Sequence, residues 1–146
     1  MVDPSHNLFQ LARWIVEHEA GESPDPAASA AAVDTACRRL RDHLVDLLGS
    51  GGVSALLKRA LHLAQREQPL LAGVTVSGES DACFTGLAES FASTEEAATA
   101  AVTLLTQMLD LLVMLLGEEL GMKPIRKIWP EATKLREIEN KSGKIK

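Results

Sequence analysis

Apolar residues recur every three or four positions along most of this chain, the spacing of one face of an α-helix. Leu8, Leu11, Ala12 and Ile15 form such a face, widened by Phe9 and Val16, and predict a first helix over residues 5–19. Ser5 can cap it, with Pro4 just before. The stretch AGESPDPA, residues 20–27, reads as a loop, and Pro26 suits the first turn of a second helix running to Leu48. In that helix Val33, Cys37, Leu40, Leu44 and Leu47 alternate in steps of 4 and 3, a seam for packing against another helix. The opposite face carries Asp34, Arg38, Arg41, Asp42 and Asp46. The GSGG run at 49–52 reads as a turn, and a third helix follows over 53–68 with Val53, Leu56, Leu57, Ala60, Leu61 and Ala64 on its apolar face. Two amphipathic helices on so short a link predict a helical hairpin over 26–68.

Beyond Pro69 the periodicity lapses. Residues 70–82 read as irregular; Val74–Val76 can extend, but no partner strand is evident. A short helix near 83–91 would bury Phe84, Leu87 and Phe91. Ser93-Thr94-Glu95-Glu96 fits a capping box and predicts a fourth helix reaching about Leu120. Pro124 then begins a further turn ending at Trp129-Pro130, so that 94–130 forms a central helix and its cap. No internal repeat is evident, and residues 140–146 read as a loose basic tail after one domain over 1–139.

The fourth helix is the most informative. Met108–Leu116 holds one polar residue, Asp110. Gln107 and Asp110 on one side and Glu118-Glu119 on the other keep the segment short of the roughly 20 apolar residues of a membrane span. Thr99, Thr103, Thr106 and Asp110 make a narrow polar stripe, which places Asp110 toward solvent rather than in the core. The same stripe continues through Val113 or Met114 to Gly117 and Gly121, so the second half of the helix is apolar all round. Something must cover Val113 and Met114. It is either the chain's own C-terminal segment, through Ile125, Ile128 and Trp129, or another chain. Gly117 and Gly121 would let a packed helix approach closely.

Composition narrows the class. The 146 residues are 46% apolar but only 3% aromatic, with Ala and Leu prominent, which favours helix over sheet. The net charge of −5 argues against nucleic-acid binding by the whole surface. Residues 122–146 are net +5 and residues 1–121 net −10, so the basic end can fold onto the acidic body or reach a partner. The N-terminus lacks the basic flank and apolar run of a signal peptide, which leaves the cytoplasm as the expected location.

Catalytic chemistry finds little support. Cys37 and Cys83 are too few for a disulfide framework and form no metal-binding pattern; both fit small core positions. His6, His18, His43 and His62 lack ligand-pair spacing, so no metal or cofactor is expected. Gly51-Gly52 can present amides to an anion, but without a following Lys-Ser/Thr they make no phosphate loop.

CRRLRDHL at 37–44, GGVSALLKRALHLA at 51–64, GEEL at 117–120 and WPE at 129–131 together resemble a family of short helical bacterial proteins, in order and spacing from about residue 30 to 131. The resemblance implies an all-helical bacterial cytoplasmic protein and brings no activity with it. In that family the position after Gly52 is often aromatic, where this chain has Val53. The expectation is an all-α, single-domain helical bundle. It would act as a non-catalytic interaction module, with a protein partner or a second copy contacting Asp110, Val113, Met114, Gly117, Gly121 and the Trp129 region. A binder of a small apolar ligand in a bundle pocket is the alternative, and an enzyme using His43, His62 and nearby acids a third.

Overall fold

The longest unbroken apolar stretch of the sequence forms the helix on which the others pack. The computed structural model describes residues 4–21, 26–77, 83–91 and 96–132. Its elements are α1 (Pro4–Ala20), α2 (Pro26–Glu67), β1 (Thr75–Val76), β2 (Phe84–Thr85), α3 (Leu87–Phe91), α4 (Ala97–Leu116) and α5 (Glu118–Ile128). The protein is all-α, with one small two-stranded sheet. α4 packs chiefly against α2, then α1 and α5. Leu104, Leu105, Met108, Leu109 and Leu112 along it are fully buried, and each such side chain contributes about 1.5–3 kcal/mol by leaving water. By length and composition alone α4 is apolar enough to cross a membrane, and 44% of that stretch is buried within the protein.

The predicted hairpin helices are the two arms of α2, and the link between them is tighter than the GSGG run suggested. Only Gly49 leaves helical geometry, at φ 73 and ψ 165, a region open essentially to glycine alone. Ser50, Gly51 and Gly52 already belong to the second arm. The first arm buries Val33, Cys37, Leu40 and Leu44, while Leu47, expected in the same seam, is 56% exposed beside the corner. Every apolar position predicted for the second arm, from Val53 to Ala64, is buried. Phe9, expected to widen the face of α1, stays partly exposed.

Three boundaries differ from expectation. α1 spans Pro4–Ala20, so Ser5 lies inside its first described turn rather than before it. The central helix ends at Leu116, because Gly117 adopts φ 86 and ψ 163. Beyond it α5 continues through Pro124 instead of starting there; Pro124 lacks the N–H that an interior helical position would donate. Thr75–Val76 does find a partner, pairing antiparallel with Phe84–Thr85 in the register Val76 to Phe84. The short helix predicted for 83–91 therefore shrinks to α3, with its first residues spent on the strand. Of the expected capping box, Ser93, Thr94 and Glu95 lie outside the described residues, and Glu96 at the helix start makes no side-chain cap. The tail at 140–146 also lies outside them.

The two corners correspond in their turn geometry, which periodicity alone does not reveal. Leu47-Leu48-Gly49 and Leu115-Leu116-Gly117 share the same backbone turn. Counting outward from each glycine, buried Cys37, Leu40, Leu44 and Leu57 match buried Leu105, Met108, Leu112 and Ile125. Each corner is thus a helix–glycine–helix turn on a single positive-φ glycine.

Candidate functional site at the α4–α5 corner

The end of α4 carries apolar side chains that the fold leaves in solvent. Met114 is 73% exposed, Leu115 62% and, across the corner on α5, Leu120 47%. Leu111, Val113 and Leu116 are half-buried beneath them. Gly117 turns the chain, and its N–H still donates to the carbonyl of Val113 at 2.8 Å, closing the last turn of α4. Gly121 then brings α5 back against α4. A Cβ on Gly121 would sit 2.9 Å from Val113 Cα and 3.1 Å from the Leu112 carbonyl oxygen, so only glycine permits this approach. Close backbone contact here pins Met122 and Ile125 into the core and turns Leu120 outward.

The rim of this face is acidic. Asp110, one turn before Met114, is half-exposed, and Glu118 and Glu119, both exposed, open α5. Both glutamates also lie where negative charge favours a helix N-terminus, as Arg126 and Lys127 favour its C-terminus. Two threonines that precede Asp110 on the stripe bond back to their own helix. Thr103 donates to the Thr99 carbonyl at 2.9 Å and Thr106 to the Val102 carbonyl at 2.6 Å.

The predicted contact residues separate into two groups. Met114 is open, and Asp110, Val113 and Gly117 border it. Gly121 and Trp129 do not belong to the surface. Gly121 is buried against α4, and Trp129 is 2% exposed with its indole N–H donating to Glu19 Oε1 at 3.0 Å. Of the residues considered as a cover for Met114, Ile125 and Trp129 are spent on the core, and Met114 stays 73% exposed. Periodicity does not single out Leu115 and Leu120, because it runs the helix straight through Gly117; the Leu-Leu-Gly pattern also present at 47–49 is the available signal.

Among the described residues no cluster of three or more His, Cys, Asp or Glu side chains is arranged to hold a metal ion. His43 is exposed, with Nδ1 3.0 Å from the Arg39 carbonyl oxygen. Burial pushes the Cys37 thiol well above its ordinary pKa, and burial raises Cys83 to about 12, against the opposing charge of Arg41. Burial favours the protonated, less reactive form of both thiols. Asp34, which looked like part of a solvated face, accepts the backbone N–H groups of Cys83 and Phe84 on one oxygen at 2.9 and 3.1 Å, tying β2 to α2. Comparison of the chain with family models, with curated proteins and with solved structures gives no match.

Proposed function

We propose that the protein is a non-catalytic interaction module, a small bacterial cytoplasmic adaptor or regulatory subunit that engages a protein partner through the α4–α5 corner. The observation that carries this reading is the exposure of Met114 at 73%, beside Leu115 and Leu120, on a helix whose other large apolar residues are mostly buried. A monomer gains nothing from leaving such side chains in water, and contiguous exposed apolar surface commonly marks contact sites. Methionine suits this role because its flexible thioether adapts to varied partner shapes. The acidic rim of Asp110, Glu118 and Glu119 selects a partner helix whose apolar ridge is flanked by Lys or Arg, since like charge would oppose docking.

Met114→Glu is expected to abolish association, because a carboxylate would be buried against apolar surface. The exposed position should leave helicity by circular dichroism unchanged. Affinity capture by the tagged wild type beside this variant reads the difference. Partner recovery equal in the two would sink the assignment of this face.

A further inference from the structure

A second feature lies away from this corner, on the exposed face of the second arm of α2. Residues 47–66 contain no Asp or Glu, in a chain that has 20 of them. Within that stretch Lys58, Arg59, His62 and Arg66 are all exposed and all helical. At 3.6 residues per turn they fall within an arc of about 100°, and the helical rise spreads Lys58 to Arg66 over about 12 Å. We propose that this face docks an acidic helical segment of a partner protein, with carboxylates at i, i+4 and i+8 set against Lys58, His62 and Arg66 and Arg59 beside them. The surface is independent of the α4–α5 corner and stands or falls separately.

The contrast with the rest of the helices comes first. The arginines of α1 and of the first arm of α2 sit beside carboxylates: Arg13 by Glu17 at 3.2 Å, Arg38 by Asp34 at 3.4 Å, Arg39 by Glu19 at 3.7 Å and Arg41 by Asp42 at 3.8 Å. Among the described residues no such pair holds Lys58, Arg59 or Arg66. The field along the face is also of one sign. The arm starts at Ser50, so the positive end of its dipole lies upstream of Lys58. Downstream, Glu67 is engaged by the Gln107 side-chain amide at 3.1 Å. Gly51 and Ala55, exposed on the same face, are small enough for a second helix to lie close. These features select the occupant. A polynucleotide would run past the basic stretch onto a body whose residues 1–121 are net −10, and the face offers no aromatic side chain for a base to stack on. A membrane surface would find no large exposed apolar side chain there to insert. An acidic helix repeats the same rise of about 6 Å per i, i+4 step, so its carboxylates meet the cations in register.

The test is fluorescence anisotropy of a labelled alanine-rich helical peptide carrying glutamate at every fourth position, titrated with the full chain. The same peptide with glutamine, and a labelled single-stranded oligonucleotide, are titrated beside it. Saturable binding of the glutamate peptide is expected, weakening as salt is raised, with both comparison probes weaker by about tenfold or more. Lys58→Glu combined with Arg59→Glu should weaken the glutamate peptide by about tenfold or more with helicity intact, since both positions are exposed. Lys123→Glu combined with Lys127→Glu makes the same change of net charge on the exposed side of α5 and should weaken it by about twofold at most. Equal losses in the two double variants would overturn the assignment to this face. Equal binding of the glutamine peptide would overturn the carboxylate requirement, and tighter binding of the oligonucleotide would overturn the choice of partner. Self-association of the chain alone, dispersed by Lys58→Glu with Arg59→Glu, would give the face to a second copy instead. No saturable binding at millimolar glutamate peptide would overturn the site.

Discussion

Single residues in this protein are explained by what their atoms meet rather than by their type. Asp34 is the clearest case: its neighbours Arg38 and Asp42 suggested a solvated face, yet one of its oxygens organises the β2 backbone from 49 residues away. A side chain-to-backbone bond across that separation leaves no periodic trace in sequence. The cysteines were easier, since small apolar side chains at seam positions belong in the core. Their burial has a consequence for pH. The folded-state pKa of Cys83, about 12, lies above the ordinary 9.0. Below about pH 9 both folded and unfolded chains keep the proton. Above it the unfolded chain ionises first, so stability is lost as pH rises through the window between the two values. Urea midpoints measured from pH 8 upward are expected to fall more steeply for wild type than for Cys83→Ala, which lacks this ionisation. Parallel slopes for the two would contradict the burial of the thiol.

At the level of elements, most helices were legible because their apolar faces repeat with the helical period. The arms of α2 and the body of α4 follow from the sequence almost residue for residue. What was not legible was how a glycine ends a helix. Gly49 and Gly117 each turn the chain in one residue, and nothing in periodicity separates that from a longer loop or an uninterrupted helix. The three kinds of glycine at these corners predict three different responses to alanine. Gly51 is helical and faces open space, so Gly51→Ala should stabilise by about 0.5–1 kcal/mol. Gly117 has open space but φ 86, so its alanine variant should lose about 1–2 kcal/mol to backbone strain. Gly121→Ala places a methyl 2.9 Å from the Val113 backbone and should destabilise by about 1–3 kcal/mol through overpacking. Denaturant unfolding of the three variants checks the order; a neutral Gly121→Ala would mean that α5 does not rest on α4 as described. The short β-hairpin was half anticipated, because Val74–Val76 read as extended while its partner was hidden inside an expected helix.

Across the whole molecule, the described elements share one hydrophobic cluster reaching from Leu8 to Ala132. Glu19 on α1 joins distant parts of it, accepting the Trp129 indole N–H at 3.0 Å and facing Arg39 on α2 at 3.7 Å. That arrangement explains why Trp129, a natural choice for a contact residue by composition, is absent from the surface. Of the large apolar residues left exposed, Phe9 lies on α1, and Val45 and Leu47 lie near the Gly49 corner. Met114, Leu115 and Leu120 gather at the α4–α5 corner beside an acidic rim; the proposed role as an interaction module rests on these last three. A photo-crosslinking amino acid at position 114, irradiated in the cell that makes the protein, tests this most directly, with position 99 on the exposed start of α4 as control. The account predicts a discrete crosslinked species from position 114, to another protein or to a second copy, and none from position 99. No crosslink at 114, or the same products from both positions, would contradict it.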